Sequence, residues 1–259
     1  MDFQLTGKTA VVVASSQGLG RAIAEALLKE GANVVISGRD ESKLKKVAME
    51  LEGYGKVDFQ RTDITEPEDI KQLIAKAVDR FGGVDILVNN AGGPPAGSFE
   101  SLTDEDWQKS FELNLFSYIR MIREALPYLK KQGGKIINIA STSIKEPIPG
   151  LILSNTFRTG MVGLTKTLSQ ELAPYNILIN LVAPGKIATD RVEHLDQFSA
   201  DKLGISKEEF ANQSKKNIPL KRYGEPEEFA RVVAFLASDA NSYMTGSSFL
   251  VDGGMVKSI

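Results

Sequence analysis

Cysteine is absent from this 259-residue sequence, and histidine occurs once, as His194. The absence of cysteine excludes disulfides, thiolate zinc sites and a cysteine nucleophile, and one histidine cannot build a histidine-rich metal site. An excess of charge of one sign is also missing, because 31 lysines and arginines are interspersed with 33 acidic residues. Nucleic-acid-binding domains concentrate basic residues on one surface, so we expect no nucleic-acid partner.

Long apolar runs are missing as well. A membrane-spanning helix needs roughly 20 consecutive apolar residues, and the runs in this sequence are much shorter. The N-terminus carries an early acid, Asp2, and a short apolar stretch, which differs from the pattern of a signal peptide. We therefore expect a soluble, cytoplasmic protein that does not bind membranes.

What the sequence does contain is a regular alternation of two patterns. Short runs rich in β-branched residues are followed by segments whose apolar residues repeat every three or four positions. This alternation predicts βαβ units and a parallel sheet that is buried on both faces. We expect the α/β class: a single doubly wound, Rossmann-type parallel sheet of about seven strands with helices on both faces, forming one domain over residues 1–259. The predicted strands begin near Lys8, Asn33, Lys56, Val84, Gly134, Asn176 and Ser247.

Local signals mark the ends of several predicted helices. Gly31 follows an amphipathic segment that begins near Leu19, and glycine at that place is typical of a helix C-terminus. Pro67 and Pro226 stand among acidic residues. Proline in the first turn and acids near the N-terminus both favour a helix start.

The segment from residue 184 to residue 224 has no clear periodicity. It follows the end of a predicted strand, and ligands of open α/β sheets bind outside the carboxyl ends of the strands. We therefore interpret the segment as a substrate lid of the domain. The alternative is a surface excursion with a short helix of its own.

A glycine-rich turn joins the first predicted strand to the first predicted helix. Two glycines without a Cβ would let a phosphate approach the backbone N–H groups at the helix N-terminus. The position between a strand and a helix favours the pyrophosphate of a dinucleotide over an ordinary βα turn. The residues of this candidate site are Ser15, Ser16, Gln17, Gly18, Leu19 and Gly20.

The second predicted strand ends in Gly38 and Arg39. NAD sites usually carry an acid there for the ribose hydroxyls, whereas a guanidinium suits a 2′-phosphate. Asp40 is predicted to be the N-cap of the next helix. The pattern favours NADP(H) over NAD(H), and the alternative for Arg39 is a solvated surface charge.

Further motifs follow the later strands. Residues 89–92 read Asn-Asn-Ala-Gly, Asn114 lies in Glu-Leu-Asn-Leu, Ser141 ends the fifth predicted strand, and residues 251–254 read Val-Asp-Gly-Gly. On these motifs the whole chain resembles the short-chain dehydrogenase/reductase family, in particular its 3-oxoacyl carrier-protein reductase-like members. The resemblance implies catalytic roles for Ser141 and Asn114. It also implies cofactor contacts at Asp63, Ile64, Asn90, Ala91, Gly92, Pro184, Gly185, Ile187 and Thr189.

The chain departs from this family at two places. The opening Thr-Gly of the family's glycine-rich motif is replaced by Val13 and Ala14. In the helix that carries the family's Tyr-x-x-x-Lys pair, Gly-Leu-Thr-Lys at residues 163–166 sets the register and puts Ser154 at the tyrosine position and Arg158 at the lysine position. We therefore predict an atypical member that lacks the family's catalytic tyrosine and lysine.

These replacements change the acid–base chemistry that is expected of the site. A phenol with a pKa near ~10 can be tuned into a general acid, whereas a serine hydroxyl is far too weak an acid for its own ionisation to drive a proton transfer. Arg158 keeps the positive charge and could bind the cofactor's ribose, but it cannot relay a proton. Lys186 is the first candidate for a substitute donor because it follows Pro184 and Gly185. The other candidates are Lys145, Glu146 and His194.

The sequence thus favours an NADP(H)-dependent oxidoreductase that interconverts a carbonyl and an alcohol on a small-molecule substrate, with an altered proton donor. The alternative is a catalytically silent NADP(H)-binding protein that acts as a sensor, a scaffold or the partner of an active relative. Isomerisation or dehydration on the same scaffold has no positive sign in the sequence. The resemblance also implies a homo-oligomer, either a tetramer or a dimer.

Overall fold

A seven-stranded parallel sheet forms the centre of the protein. The computed structural model describes residues 3–258 of the chain. In space the strands follow the order β3-β2-β1-β4-β5-β6-β7, and every neighbouring pair is parallel. The strands are β1 (Thr9–Val12), β2 (Asn33–Gly38), β3 (Val57–Arg61), β4 (Ile86–Asn89), β5 (Gly134–Ile139), β6 (Ile177–Pro184) and β7 (Ser248–Val251). The predicted doubly wound sheet of about seven strands is confirmed.

Helices cover both faces of the sheet. They are α1 (Gly18–Lys29), α2 (Glu41–Leu51), α3 (Pro67–Phe81), α4 (Asp104–Phe111), α5 (Ser117–Gln132), α6 (Ile152–Glu171), α7 (Asp190–Leu203), α8 (Lys207–Lys216) and α9 (Pro226–Ala237). A single π-helical turn (Glu112–Phe116) joins α4 to α5. No helix within residues 3–258 is both long enough and apolar enough to cross a membrane.

Alternation along the strands builds two separate apolar cores. In β1, Ala10 and Val12 pack into one core, and Val11 packs into the other, because successive side chains of a strand point to opposite faces. The first core takes its helical side chains from α1, α2 and α9, and the second takes them from α3, α5 and α6. Apolar residues on both faces of the central strands therefore specify helices on both sides.

The local signals of the sequence correspond to observed helix ends. α3 begins at Pro67 and α9 begins at Pro226. Gly31, two residues after the end of α1, has a φ of +89°. The Asp40 carboxylate caps α2 by accepting a hydrogen bond from the Lys43 amide at 3.0 Å.

The segment 184–224 is largely helical and contains α7 and α8, whereas the sequence offered a single short helix only as the alternative to a lid. Thr189 caps α7 by accepting from the Val192 amide, and Ser206 caps α8 by accepting from the Glu209 amide. The apolar positions of both helices are few, so their hydrophobic periodicity is weak in the sequence. The segment lies at the carboxyl edge of the sheet, where the strand order reverses between β1 and β4. Such a reversal opens a crevice that binds ligands.

Candidate active site

A cavity of about 1120 Å³ opens at the carboxyl edge of the sheet. Its walls come from the ends of β1, β2, β4, β5 and β6 and from the first turn of α7. It therefore gathers residues that are far apart in the chain. The sequence-predicted residues that line it are Ser16, Gln17, Gly18, Leu19, Arg39, Asp63, Ile64, Asn90, Ala91, Gly92, Ser141, Ser154, Arg158, Pro184, Gly185, Ile187 and Thr189.

The glycine-rich turn presents the N-terminus of α1 to this cavity. Gly18 has a φ of +55°, a conformation that residues with a Cβ adopt rarely. The first turn of α1 contains no acidic residue, and Gln17 makes no side-chain cap. The first N–H groups of α1 therefore remain available to an anion.

Two residues of the predicted turn shape the cavity from behind. Ser15 is fully buried. Its hydroxyl donates to the Val12 carbonyl at 2.6 Å and accepts from the Ser37 amide at 3.0 Å. At Gly20 an added Cβ would lie 2.4 Å from the carbonyl oxygen of Ala14. Both residues fix the path of the backbone, and neither is among the side chains that line the cavity.

Ala14 stands where the resemblance expects glycine, and it has a φ of +49°. A left-handed conformation costs a residue with a Cβ roughly 1–2 kcal/mol. The side-chain nitrogen Nδ2 of Asn90 donates to the Ala14 carbonyl at 3.2 Å and helps to hold this conformation. The alanine is therefore tolerated in the turn at the cost of local strain.

A cationic site lies at the end of β2. The exposed Arg39 and Lys43 both line the cavity there, while the adjacent Asp40 carboxylate is engaged as the cap of α2. A Cβ at Gly38 would lie 3.3 Å from the Ser16 hydroxyl. A longer acidic side chain at this position would therefore crowd the glycine-rich turn, which is called the phosphate turn below. This end of the cavity suits an anionic group.

Asp63 follows β3 and also faces the cavity. Burial raises the pKa of its carboxyl group, but the hydrogen bonds from Thr65 and the charges of Arg39 and Arg61 outweigh that effect and leave the pKa below its ordinary value. The backbone amide and the hydroxyl of Thr65 donate at 3.0 and 2.7 Å. The carboxylate is therefore held ionised in a fixed orientation.

Ser141, Ser154 and Arg158 line the opposite end of the cavity. Ser141 lies two residues after the end of β5, and its hydroxyl accepts a hydrogen bond from the Ser143 amide at 3.2 Å. Ser154 and Arg158 lie one turn apart on α6, which puts them on the same face of the helix. The site thus combines two hydroxyl groups and one guanidinium.

Arg158 is 4% exposed and is held by three acceptors. One η nitrogen donates to the Ile139 carbonyl at 2.6 Å and to the Tyr118 hydroxyl at 3.0 Å, and the other donates to the Ala91 carbonyl at 3.3 Å. Within residues 3–258 no carboxylate forms an ion pair with Arg158. A fixed positive charge therefore lies at this end of the cavity without a counter-ion.

Tyr118 supports this guanidinium from α5. Its buried hydroxyl donates to the Ile139 carbonyl at 3.0 Å. Burial raises the pKa of the phenol, and the nearby Arg158 charge opposes the rise only in part. Tyr118 therefore remains a neutral hydrogen-bonding group.

Asn114 lies in the π-helical turn, a feature that occurs often at functional sites. It is fully buried, and both polar atoms of its side chain lack a partner among the described residues. Buried polar groups are almost always hydrogen-bonded in native proteins. Asn114 therefore has the hydrogen-bonding capacity to hold a water molecule behind the cavity wall.

The alternative proton donors lie elsewhere. Lys186 points toward α7, where its ammonium is 2.5 Å from an Asp196 carboxylate oxygen. His194 is exposed and bonded to the Asp190 carbonyl, and Glu146 accepts from two backbone amides at the C-terminus. None of these residues, nor Lys145, is part of the cavity lining. The buried Asp196 carboxylate holds the ammonium of Lys186 away from the cavity lining, and the role of Lys186 as a substitute proton donor stays a prediction.

Asp196 ties the two ends of the segment 184–224 together. This 3%-exposed residue of α7 accepts from the Lys186 ammonium before the helix and from the Tyr223 hydroxyl, at 2.7 Å, after α8. Burial raises the pKa of Tyr223 to about 12, with a further contribution from the Asp196 carboxylate. The segment is therefore anchored by one buried carboxylate.

Replacing Asp196 with asparagine should loosen this anchor. The loss of charge-assisted hydrogen bonds should lower the free energy of unfolding by ~1–3 kcal/mol, and the pKa of Tyr223 should fall from about 12 toward its ordinary value. Denaturant unfolding and a spectroscopic titration of the phenols measure the two effects. The control is Asp201→Asn, on the exposed face of the same helix, which should change stability by less than ~0.5 kcal/mol. Equal effects of the two substitutions would contradict the anchor.

The sequence reasoning missed several cationic residues of the cavity, among them Arg191. Arg191, in the first turn of α7, lines the cavity, and its η nitrogen donates to the Pro94 carbonyl at 2.9 Å. It stands two residues after the predicted contact Thr189, at the start of the helix that Thr189 caps. That spacing was the available signal, but the helix itself was not predicted.

Among residues 3–258, no group of three or more histidine or acidic side chains is arranged to hold a metal ion.

Comparison with known proteins gives consistent matches over nearly the whole chain. A family model described as Enoyl-(Acyl carrier protein) reductase matches residues 13–256. The 3-oxoacyl-[acyl-carrier-protein] reductase FabG of Thermotoga maritima is 35% identical over 255 residues, covering 98% of this chain and 99% of the relative. Dehydrogenase/reductase SDR family member 4 of Homo sapiens is 38% identical over 253 residues, covering 96% of this chain and 88% of the relative.

Solved structures also match the fold of the chain over its whole length. The crystal structure of L-sorbose reductase from Gluconobacter frateurii, complexed with NADPH and L-sorbose, gives a TM-score of 0.95 at 33% sequence identity. The match covers 100% of both chains.

Proposed function

Because the chain belongs to the short-chain dehydrogenase/reductase family, we propose that it is an NADP(H)-dependent oxidoreductase that interconverts a carbonyl and an alcohol with an altered proton donor. The observation that carries the proposal is the shared cavity: the phosphate turn, the cationic end of β2 and the hydroxyl–guanidinium group of α6 all line it. The solved L-sorbose reductase complex contains NADPH, which supports the choice of cofactor.

The residues present fit NADP(H). The uncapped N-terminus of α1 offers N–H groups to the pyrophosphate, and Gly18 leaves room for it. Arg39 and Lys43 supply the charge that a 2′-phosphate needs, and the bound nicotinamide would supply or accept the hydride. Asp63 would contact the adenine end of the cofactor, and Thr189 would contact its nicotinamide end. The predicted contacts Ile64, Asn90 and Pro184 belong to the same proposal.

The reacting oxygen is proposed to lie between the two hydroxyl groups and the guanidinium. Ser141 and Ser154 donate hydrogen bonds to it, and the fixed charge of Arg158 stabilises the negative charge that develops as the carbonyl is reduced. Donors that are already oriented toward a developing oxyanion need no reorganisation during the reaction. Binding and orientation of the substrate then contribute a large part of the rate.

The proton is proposed to come from water and to pass along Ser154. A serine hydroxyl can pass on a proton while it accepts another, without ionising. Asn114 would hold one of the water molecules that carry the proton to Ser154, since the side chain of Asn114 lacks any other partner within residues 3–258. Without a tuned general acid, a rate about 10²–10⁴-fold below that of a tyrosine-containing site is expected.

Purified protein incubated with NADPH and a broad panel of carbonyl compounds tests the proposal. We expect slow but measurable NADPH oxidation with formation of the matching alcohol. Retained cofactor binding with no turnover on any compound would instead favour a silent NADP(H)-binding protein.

Replacing Arg39 with alanine should weaken the use of NADPH selectively. A hydrogen bond to a charged group contributes about 1.5–3 kcal/mol, so KM for NADPH should rise roughly 10–100-fold while KM for NADH changes little. Steady-state kinetics with both cofactors measures the difference. Arg80→Ala, at an exposed arginine of α3 paired with Asp58, is the control and should leave both values unchanged. An equal change of KM for the two cofactors would exclude the proposed 2′-phosphate contact.

A further inference from the structure

Arg191 and Arg158 approach one short stretch of backbone from different elements. Arg158 donates to the Ala91 carbonyl from α6, and Arg191 donates to the Pro94 carbonyl from α7. Three peptide units separate Ala91 from Pro94, so the distance between their Cα atoms is at most about 11 Å. Two guanidinium groups therefore lie along one short stretch of the cavity wall, and the charge of Arg158 acts on that of Arg191.

The guanidinium of Arg191 is seated on a glycine. A Cβ at Gly93 would lie 2.7 Å from its η nitrogen and 3.1 Å from its ε nitrogen. Together with the bond to Pro94, this contact fixes the orientation of the planar group. Its other N–H donors have no hydrogen-bond partner within the described residues, and its side chain is open to the cavity.

Neither cation is neutralised by the protein. Within residues 3–258, no carboxylate lies within ion-pair distance of Arg191 or Arg158. The carboxylate of Glu112, which lines the same cavity, is taken up by Arg120 at 2.6 Å. Partial burial, followed by the like charge of Arg158, lowers the pKa of Arg191. An anion at this point would relieve both effects.

We infer that the substrate carries a carboxylate, which Arg191 binds while the carbonyl lies against Ser141, Ser154 and Arg158. The substrate class is thus a small oxo acid, or a hydroxy acid in the reverse direction. One available guanidinium matches one negative charge, and its planar fork matches the two oxygens of a carboxylate. The acyl chain would contact the apolar side chains of Leu151 and Leu195, which also line the cavity.

This inference rests on the proposed oxidoreductase function and names its substrate class. In the reductive direction the carbonyl carbon accepts a hydride, with its two electrons, from NADPH, which leaves as NADP⁺. The oxygen accepts one proton from water, so that the oxo acid becomes the hydroxy acid. The carboxylate is unchanged and serves only to bind and orient the substrate.

The test compares 2-, 3- and 4-oxo acids with their methyl esters, which retain the carbonyl but lack the charge. In the unmodified protein, kcat/KM for the best acid should exceed that for its ester at least tenfold. Arg191→Gln should lower kcat/KM for the acid by roughly 10–100-fold, the effect of one hydrogen-bonded charge pair. For the ester, kcat/KM of Arg191→Gln should stay within about threefold of that of the unmodified protein. Lys202→Gln, at an exposed cation of the same helix, is the matched control and should change neither.

Calorimetric titration of the same acids and esters into the NADP⁺-loaded protein gives a second readout that does not require turnover. Weaker binding of the acid alone in Arg191→Gln supports the inference. Equal binding of acid and ester to the unmodified protein would overturn it. A rise of KM for NADPH in Arg191→Gln with both substrates would also overturn it, because Arg191 would then hold the cofactor. Acid-selective binding without any turnover would leave the carboxylate site standing and remove the oxidoreductase function.

Discussion

Substituting Arg158 with methionine is expected to lower kcat by roughly 10²–10³-fold, the usual effect of removing one oriented donor from a developing oxyanion. Methionine retains an unbranched apolar stem but removes the positive charge. The Ile139 carbonyl keeps the hydrogen bond from Tyr118. Because a buried cation without a counter-ion is itself costly, the free energy of unfolding should fall little or even rise. Single-turnover kinetics and denaturant unfolding of the same preparation separate the two quantities.

The conservative control for this prediction is Arg158→Lys. Lysine keeps the charge and three donors but lacks the planar fork, so it should recover most of the rate that methionine loses. If Arg158→Met retains the full kcat, the charge on α6 has no part in the reaction. A fall in kcat that only follows unfolding would give Arg158 a structural role instead.

Substituting Gly20 with alanine should have the largest effect on the fold and on cofactor binding. The new Cβ would lie 2.4 Å from the Ala14 carbonyl oxygen and 2.8 Å from the Ser15 Cα, and both atoms belong to the backbone. Overpacking of this kind costs about 1–3 kcal/mol. Displacing the turn should also remove one or two hydrogen bonds to the pyrophosphate, which corresponds to at least roughly tenfold weaker binding of NADPH.

Denaturant unfolding and fluorescence titration with NADPH measure these losses. The matched control is Gly53→Ala, because Gly53 is exposed, has an ordinary φ, and has no atom within 4 Å of an added Cβ. It should be neutral or stabilising by ~0.4–1 kcal/mol. Unchanged NADPH affinity in Gly20→Ala would show that close approach at this glycine is not required for the cofactor.

Comparison of sequence and structure shows which features are local. Patterns of a few residues predict the seven strands, the first of which begins near Lys8 and the last near Ser247. Such patterns also predict the helix starts at Asp40 and Pro67 and the presence of Gly18, Arg39 and Ser141 in one cavity. Parallel strands bring their carboxyl ends to one edge of the sheet. A residue that ends a strand can therefore be assigned to the cavity without knowledge of side-chain packing.

The direction of a long side chain is not local in this sense. Lys186 was expected at the reacting end because of its position after Pro184 and Gly185, but Asp196, ten residues later, holds its ammonium beside α7. Because the hydrophobic periodicity of α7 is weak, the sequence did not predict where this helix places Asp196 and Arg191. Caps such as Thr189, rather than an apolar stripe, mark these helices.

The sequence by itself determined the doubly wound sheet, the phosphate turn and the presence of Ser154 and Arg158 on one helix face, because strand alternation, glycine turns and helical spacing act over short distances. Only the tertiary structure decided that Arg158 is held by Tyr118, Ile139 and Ala91, that Arg191 lies beside Gly93, and that Lys186 turns away. Those positions depend on charges and carbonyl groups that come together from distant parts of the chain, and a buried or half-buried cation is placed by the partners that can satisfy its hydrogen bonds.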